Sequence, residues 1–232
     1  MGARCLLYYI TDRSQFGGDE PTLRRALLAK IAEATRAGID YIQLREKDLD
    51  TKELEVLARE AVTAVRNSAI LKASTSEIGT RILINSRTDV ALAAGADGVH
   101  LRADDISPDE VRLVLKGSTI VAKHFLVAES CHSIQDVRRA EAAANFAVFG
   151  PVFEKKNGEK SEKTSTPANR PVGIDALREA CRATIPVLAL GGVTIENAAS
   201  CLEAGAAGVA GIRLFQDNKI EDVVRALRMM MI

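Results

Sequence analysis

This chain of 232 residues carries no net charge: Lys+Arg and Asp+Glu number 31 each, and the pI is about 6.8. Without an overall positive field there is little to release counterions from phosphates, which argues against a dedicated nucleic-acid binder. Long apolar runs are also missing. None reaches the roughly 18–20 residues that a bilayer-crossing helix needs, so no membrane partner is expected. The first apolar run, 5–10, is short and is followed at once by acidic and turn residues, without a leader-type cleavage pattern. Cysteine is scarce and scattered: Cys5, Cys131, Cys181 and Cys201 show no metal-ligand or redox spacing. Free thiols in a reducing cytoplasm are the expectation. Tryptophan is absent and aromatics make up 4%, yet 47% of residues are hydrophobic. That is enough apolar material for one sizeable core, and it excludes a disordered charged tail.

Short apolar runs alternate with longer stretches of helical periodicity. Strands are predicted at 6–10, 41–44, 82–84, 98–101, 119–122, 146–149, 187–190 and 208–212, with apolar character resuming at 125–128 after the fifth. Helices are clearest at 22–37, 52–65, 195–204 and 220–229. Strands this apolar belong to a parallel sheet covered by helices. Eight β-α units in one domain of this length predict a (β/α)8 TIM barrel, with an open doubly wound sheet as the other fold considered. An internal repeat supports the barrel. Ala37-Gly38-Ile39-Asp40, Ala94-Gly95-Ala96-Asp97 and Ala204-Gly205-Ala206-Ala207 each end a helix at a glycine and lead into a strand. Residues 151–171 break the rhythm. They carry Lys155, Lys156, Lys160 and Lys163 among small polar residues, and they read as a mobile active-site loop.

Barrel active sites form at the C-terminal ends of the strands. Those ends gather Asp12, Gln43, Arg45, Lys47, Asn85, His100, Arg102, Asp105, Ser130, His132 and the pair Gly191-Gly192. Cations outnumber anions there, which implies a small anionic substrate, most simply a phosphate or diphosphate. Gly191-Gly192 precedes a helix, where backbone amides can hold a phosphate. Gln43, Arg45 and Lys47 alternate along one strand and so share a face. Two cations there suit a diphosphate, and an amide suits a heterocycle. The same residues would equally serve as a strand end paired with Glu46 and Asp48. Asp105 could ligate a hard cation such as Mg2+, or cap the helix that follows. His132 could move a proton near neutral pH. His100 is expected to line the barrel.

At these residues the chain resembles the thiamin phosphate synthase/TenI family over nearly its full length. The resemblance rests on Tyr9-Ile10-Thr11-Asp12, Gln43-Leu44-Arg45-Glu46-Lys47, Asp97-Gly98-Val99-His100-Leu101, Phe149-Gly150-Pro151-Val152-Phe153 and Gly191-Gly192-Val193-Thr194-Ile195-Glu196-Asn197-Ala198. It implies an enzyme of thiamin biosynthesis, a transferase that couples hydroxymethylpyrimidine diphosphate to a thiazole phosphate and releases diphosphate. It further implies that Gln43 contacts the pyrimidine, that Arg45, Lys47 and Asn85 hold the diphosphate, and that Asp105 ligates Mg2+. Ser130 would lie near the reacting centre, and Gly191 and Gly192 would bind the thiazole phosphate. A homodimer is within the family's range.

The chain departs from the synthase pattern in three places. Asn85-Ser86 stands where the family has Asn-Asp, so one Mg2+ carboxylate is missing. Glu154-Lys155-Lys156 replaces a Thr-x-Thr-Lys loop, and Arg213 stands for a Ser near the last strand. TenI-type members share such losses. A thiazole tautomerase, with His132 as its acid/base and no metal, is therefore the alternative, and a non-catalytic thiazole or thiamin phosphate-binding regulator is another.

Overall fold

A computed structural model describes residues 4–70, 79–117, 124–154 and 170–230. All eight strands are parallel: β1 (Leu6–Ile10), β2 (Tyr41–Leu44), β3 (Arg81–Asn85), β4 (Gly98–Leu101), β5 (Leu126–Cys131), β6 (Phe146–Phe149), β7 (Val187–Leu190) and β8 (Gly208–Gly211). Each pairs with the next, and β8 closes on β1 through Leu6↔Gly208 to Tyr9↔Gly211. Closure excludes the open doubly wound sheet and establishes the TIM barrel.

Seven of the predicted strands coincide with observed ones to within a residue at either end. The fifth does not: the segment 119–122 lies outside the described residues, and β5 is Leu126–Cys131. The run 119–122 has strand propensity, but β5 starts where apolar character resumes and alternates between two apolar environments. Val127 and Cys131 pack in the outer layer and Ala128 in the lumen. Residues 155–169, the bulk of the predicted loop with all its lysines, also lie outside the described residues.

The core has two shells. Tyr8, Ile10, Leu83, Ala128, Phe146, Val148, Leu188 and Ala210 fill the lumen. Side chains of opposite parity, such as Leu7, Ile42, Ile82, Val99 and Val209, pack outward against the helices. Three of the nine aromatics, Tyr8, Tyr41 and Phe146, meet in the lumen, and the others pack in the outer layer. Phe146 stacks on Tyr41 at 4.8 Å between centroids and meets Tyr8 edge-on at 5.5 Å. These rings plug the lumen, as side-chain layers do in a barrel of this size.

The repeat has a structural purpose. Gly38, Gly95 and Gly205 all adopt left-handed backbone, with φ of 88°, 68° and 100°, and turn a helix into the next strand. In the first two copies the following aspartate accepts a strand's leading amide. Asp40 Oδ2 takes Leu7 N at 2.8 Å, and Asp97 Oδ2 takes Ile82 N at 2.8 Å. In all three copies the backbone carbonyl at this position also accepts a strand's first amide, Arg81 N at Asp40, Leu126 N at Asp97 and Leu6 N at Ala207, so the third copy lacks only the side-chain bond. The repeat thus closes the N-terminal end of the barrel and leaves the other end for chemistry.

Candidate active site

The C-terminal rim is organised around a buried ion cluster. Arg13, in a short 3-10 turn after β1, is almost fully buried and points across to the end of β2. Its guanidinium contacts Glu46 at 3.3 Å, grips Asp48 through two bonds of 2.7 and 2.8 Å, and reaches Glu20 at 3.1 Å. Glu46 also accepts from the Thr11 hydroxyl at 2.5 Å and from Arg13 N at 2.9 Å. Burial raises the Glu46 carboxyl above its ordinary range, and these bonds oppose the shift.

This cluster bears on the reading of the β2 end as a salt-bridged strand end. Glu46 and Asp48 form ion pairs with Arg13 and not with Arg45 or Lys47, although the charges of Asp12 and Glu46 still reach Arg45. Neither cation forms an ion pair with a described residue. Arg45 lies below the usual guanidinium range, chiefly through burial, with repulsion from Arg102 adding to it. Lys47 is likewise lowered, first by the charge of Arg45, then by burial and by Arg102. Arg102 is paired with Asp104 and Asp105, whereas an anion set against Arg45 and Lys47 would relieve the repulsion between them.

Gln43 faces the lumen beside them, since Tyr41 packs inward and Ile42 and Leu44 outward. It is 2% exposed. Its amide has no hydrogen-bond partner among the described residues, yet its polar atoms are not sealed from solvent. A buried amide without a protein partner is available to a ligand. Asn85 shares this inward parity at the end of β3 and donates to Ser86 Oγ at 3.1 Å. Ser86 itself takes left-handed backbone, with φ of 61°.

Ser130, at the inward end of β5, joins a buried chain that crosses the lumen. His100 Nε2 lies 2.8 Å from Ser130 Oγ, and His100 Nδ1 lies 3.0 Å from the Tyr8 hydroxyl. His100 thus lines the barrel as expected. Burial pushes its pKa down to about 3, and the charges of Arg45 and Asp105 reach it as well. Gln43, Arg45, Asn85, Asp105 and Ser130, which come from four different β-α units, therefore converge on one mouth.

Asp105 is held in place by Arg102, whose backbone amide lies 2.7 Å and guanidinium 3.3 Å from the carboxylate. Among the described residues no group of three Asp, Glu, His or Cys side chains could hold a metal. Ser86 offers a hydroxyl and no carboxylate. A divalent ion beside Asp105 would therefore draw coordination from water or from phosphate oxygens of a ligand.

Gly191 and Gly192 lie across the rim, after β7, and both have positive φ. A Cβ on Gly192 would stand 2.6 Å from Glu154 O and 2.7 Å from Phe153 Cβ, so only glycine fits. Among the described residues nothing accepts a hydrogen bond from the amides of Gly192 or Val193. The helix Ile195–Glu203 begins directly behind them. Free amides at a helix start can take a phosphate.

His132 is placed differently from Ser130. It follows β5, is exposed, and lies 2.6 Å through Nδ1 from the Gly150 carbonyl. A carbonyl only accepts, so Nδ1 carries the proton and Nε2 is left as the acceptor. Sequence reasoning did not anticipate Tyr8 or the role of Arg13. Neither belongs to a motif, and only barrel closure brings them to their partners.

Comparison with known proteins shows the family. A family model described as thiamine monophosphate synthase matches residues 7–215. A protein of Geobacter sulfurreducens named "Putative thiamine-phosphate synthase" is 40% identical over 95% of this chain and 92% of its own. The "Thiamine-phosphate synthase" of Roseiflexus sp. is 34% identical over 89% of this chain and 76% of its own. Among solved structures, a thiamine phosphate pyrophosphorylase from Pyrococcus furiosus superposes with a TM-score of 0.74 at 24% identity. It covers 99% of this chain and 96% of its own, which speaks for the fold.

Proposed function

Since the chain belongs to the thiamine monophosphate synthase family, we propose that it couples a hydroxymethylpyrimidine diphosphate to a thiazole phosphate and releases diphosphate. The observation that carries this reading is the pair Arg45 and Lys47, without an ion pair among the described residues, beside the buried amide of Gln43, which has no hydrogen-bond partner there. A diphosphate joined to a heterocycle satisfies both at once.

In this reading Gln43 contacts the pyrimidine, and Arg45, Lys47 and Asn85 hold its diphosphate. The backbone at Gly191 and Gly192 takes the thiazole phosphate. The bond from the pyrimidinylmethyl carbon to the diphosphate oxygen breaks, and the diphosphate leaves with the electron pair. The thiazole nitrogen then supplies its lone pair to that carbon and forms the new C–N bond. No proton has to be removed from the thiazole nitrogen, so the site needs no strong base. It needs two substrates held in line and cations where the leaving group gains charge. Asp105 is the residue that would hold Mg2+ together with the diphosphate, and the ion would neutralise part of the charge on that group.

One observation favours a second reading. His132 presents Nε2 as a free acceptor on the exposed rim, which suits metal-independent proton transfer on a thiazole carboxylate phosphate. One assay separates the two. Purified protein is mixed with the pyrimidine diphosphate, the thiazole phosphate and Mg2+, and catalytic formation of thiamin phosphate is expected. If none forms, the synthase reading fails. Tautomer equilibration abolished in His132→Ala would then establish the tautomerase, and tight binding of thiazole phosphate without any turnover would establish a regulator.

A further inference from the structure

Tyr8, His100 and Ser130 span the lumen on three strands, β1, β4 and β5, and no charged group takes part in their hydrogen bonds. Tyr8 is fully buried and His100 is 2% exposed. The proton inventory of this chain has one consistent solution. The Tyr8 phenol has a single partner among the described residues, His100 Nδ1 at 3.0 Å. If Nδ1 carried hydrogen, the phenol proton would be buried without an acceptor, at a cost of about 1–3 kcal/mol. Tyr8 therefore donates and Nδ1 accepts. A neutral imidazole then carries its one proton on Nε2, and that proton points at Ser130 Oγ, 2.8 Å away. With this contact filled by His100 as donor, the proton of the Ser130 hydroxyl must be directed elsewhere. No other bond occupies the hydroxyl among the described residues, and it stands at the open end of the lumen.

We infer that Tyr8 and His100 form a buried strut that fixes the Ser130 hydroxyl as a hydrogen-bond donor into the mouth, selecting a ligand with an unprotonated acceptor atom at that point. Tyr8 and His100 are positioning residues and move no proton themselves. The strong downward shift of the His100 pKa agrees with this, since burial disfavours the charged ring. The part of the inference that concerns turnover rests on the synthase reading, and the part that concerns the strut does not.

Two measurements test it on the full-length protein. Long-range 15N NMR of the histidines is expected to show His100 as the Nε2–H tautomer, without titration between pH 5 and 9. In Tyr8→Phe the same signal is expected to become a mixture of tautomers. An Nδ1–H ring, a titrating ring, or an unchanged pure tautomer in Tyr8→Phe would overturn the strut. In the thiamin phosphate assay, His100→Leu is expected to lose roughly tenfold or more in kcat, on the scale of one ligand hydrogen bond. His100→Gln, which can accept and donate through one amide, is expected to recover most of it with the wild-type pH profile. Equal rates in His100→Leu and wild type, or loss of a pH-rate limb in His100→Gln, would overturn it. A wild-type protein that makes no thiamin phosphate refutes the synthase reading, while the tautomer measurement still decides the strut.

Discussion

Replacing Arg13 by Met removes the guanidinium while keeping much of the apolar stem. Its three carboxylate partners differ sharply in exposure. The side chains of Asp48 and Glu20 are 68% and 53% exposed, and such pairs contribute at most about 0.5–1 kcal/mol each. Glu46 is 2% exposed against 4% for Arg13, so this pair dominates. Breaking a buried pair by removing one partner costs about 3–5 kcal/mol, because a charge is left uncompensated. The Thr11 hydroxyl and the backbone amide at position 13 still reach Glu46, which places the expected loss near the lower bound, about 3 kcal/mol. For a domain of this length that corresponds to a fall in Tm of roughly 6–12 °C. The loss has a signed pH dependence. Burial already raises the Glu46 carboxyl, and without Arg13 it rises further. A carboxyl raised in the folded state destabilises only above its unfolded pKa. The deficit is therefore smallest near pH 4, grows as pH rises through the shifted value, and then levels off. Urea unfolding of wild type, Arg13→Met and Arg13→Met/Glu46→Gln between pH 5 and 8 reads this directly, and the double variant is expected to regain most of the loss at pH 8. A deficit under 1 kcal/mol, or one equal at pH 5 and pH 8, would refute the claim that Arg13 exists to compensate Glu46.

Three further outcomes follow from the rim. Arg45→Ala is expected to weaken diphosphate binding about tenfold or more by calorimetry, on the scale of a charge-assisted bond; unchanged affinity would remove Arg45 from the site. Gly192→Ala combines a positive φ with a Cβ 2.6 Å from a carbonyl oxygen. It should reduce affinity for thiazole phosphate and cost about 1–3 kcal/mol of stability, and wild-type melting with full affinity would contradict the tight fit. Glu129 is buried on the outer face of β5 with Oε2 unpartnered, and burial raises its carboxyl. Glu129→Gln should therefore raise the Tm at pH 8 and leave it unchanged near pH 4, whereas a drop at pH 8 would mean that the carboxylate is held by a partner.

The barrel was legible because its signals are local. A strand's apolar run, a helix's period and a glycine forced to left-handed backbone depend on neighbours within a few residues. Seven strands and the repeat glycines Gly38, Gly95 and Gly205 could therefore be read from the chain. The residue types at the rim were legible for the same reason, since strand ends follow from strands. The fifth strand was misplaced because two apolar runs lie close together and propensity alone does not say which one enters the barrel.

Pairing between distant residues was not legible. Glu46 and Asp48 are adjacent in sequence to Arg45 and Lys47, and by proximity alone they should neutralise them. The closed ring brings Arg13 across from β1 to take both carboxylates, and this leaves the β2 cations open to a ligand. Likewise the sequence put His100 inside the barrel, but only the register of β1, β4 and β5 sets Tyr8 and Ser130 on its two ring nitrogens. The chain by itself determined the fold and the kinds of groups at its rim. The tertiary structure decided which charges cancel and which protons point inward, because those depend on distances between strands that no local pattern encodes.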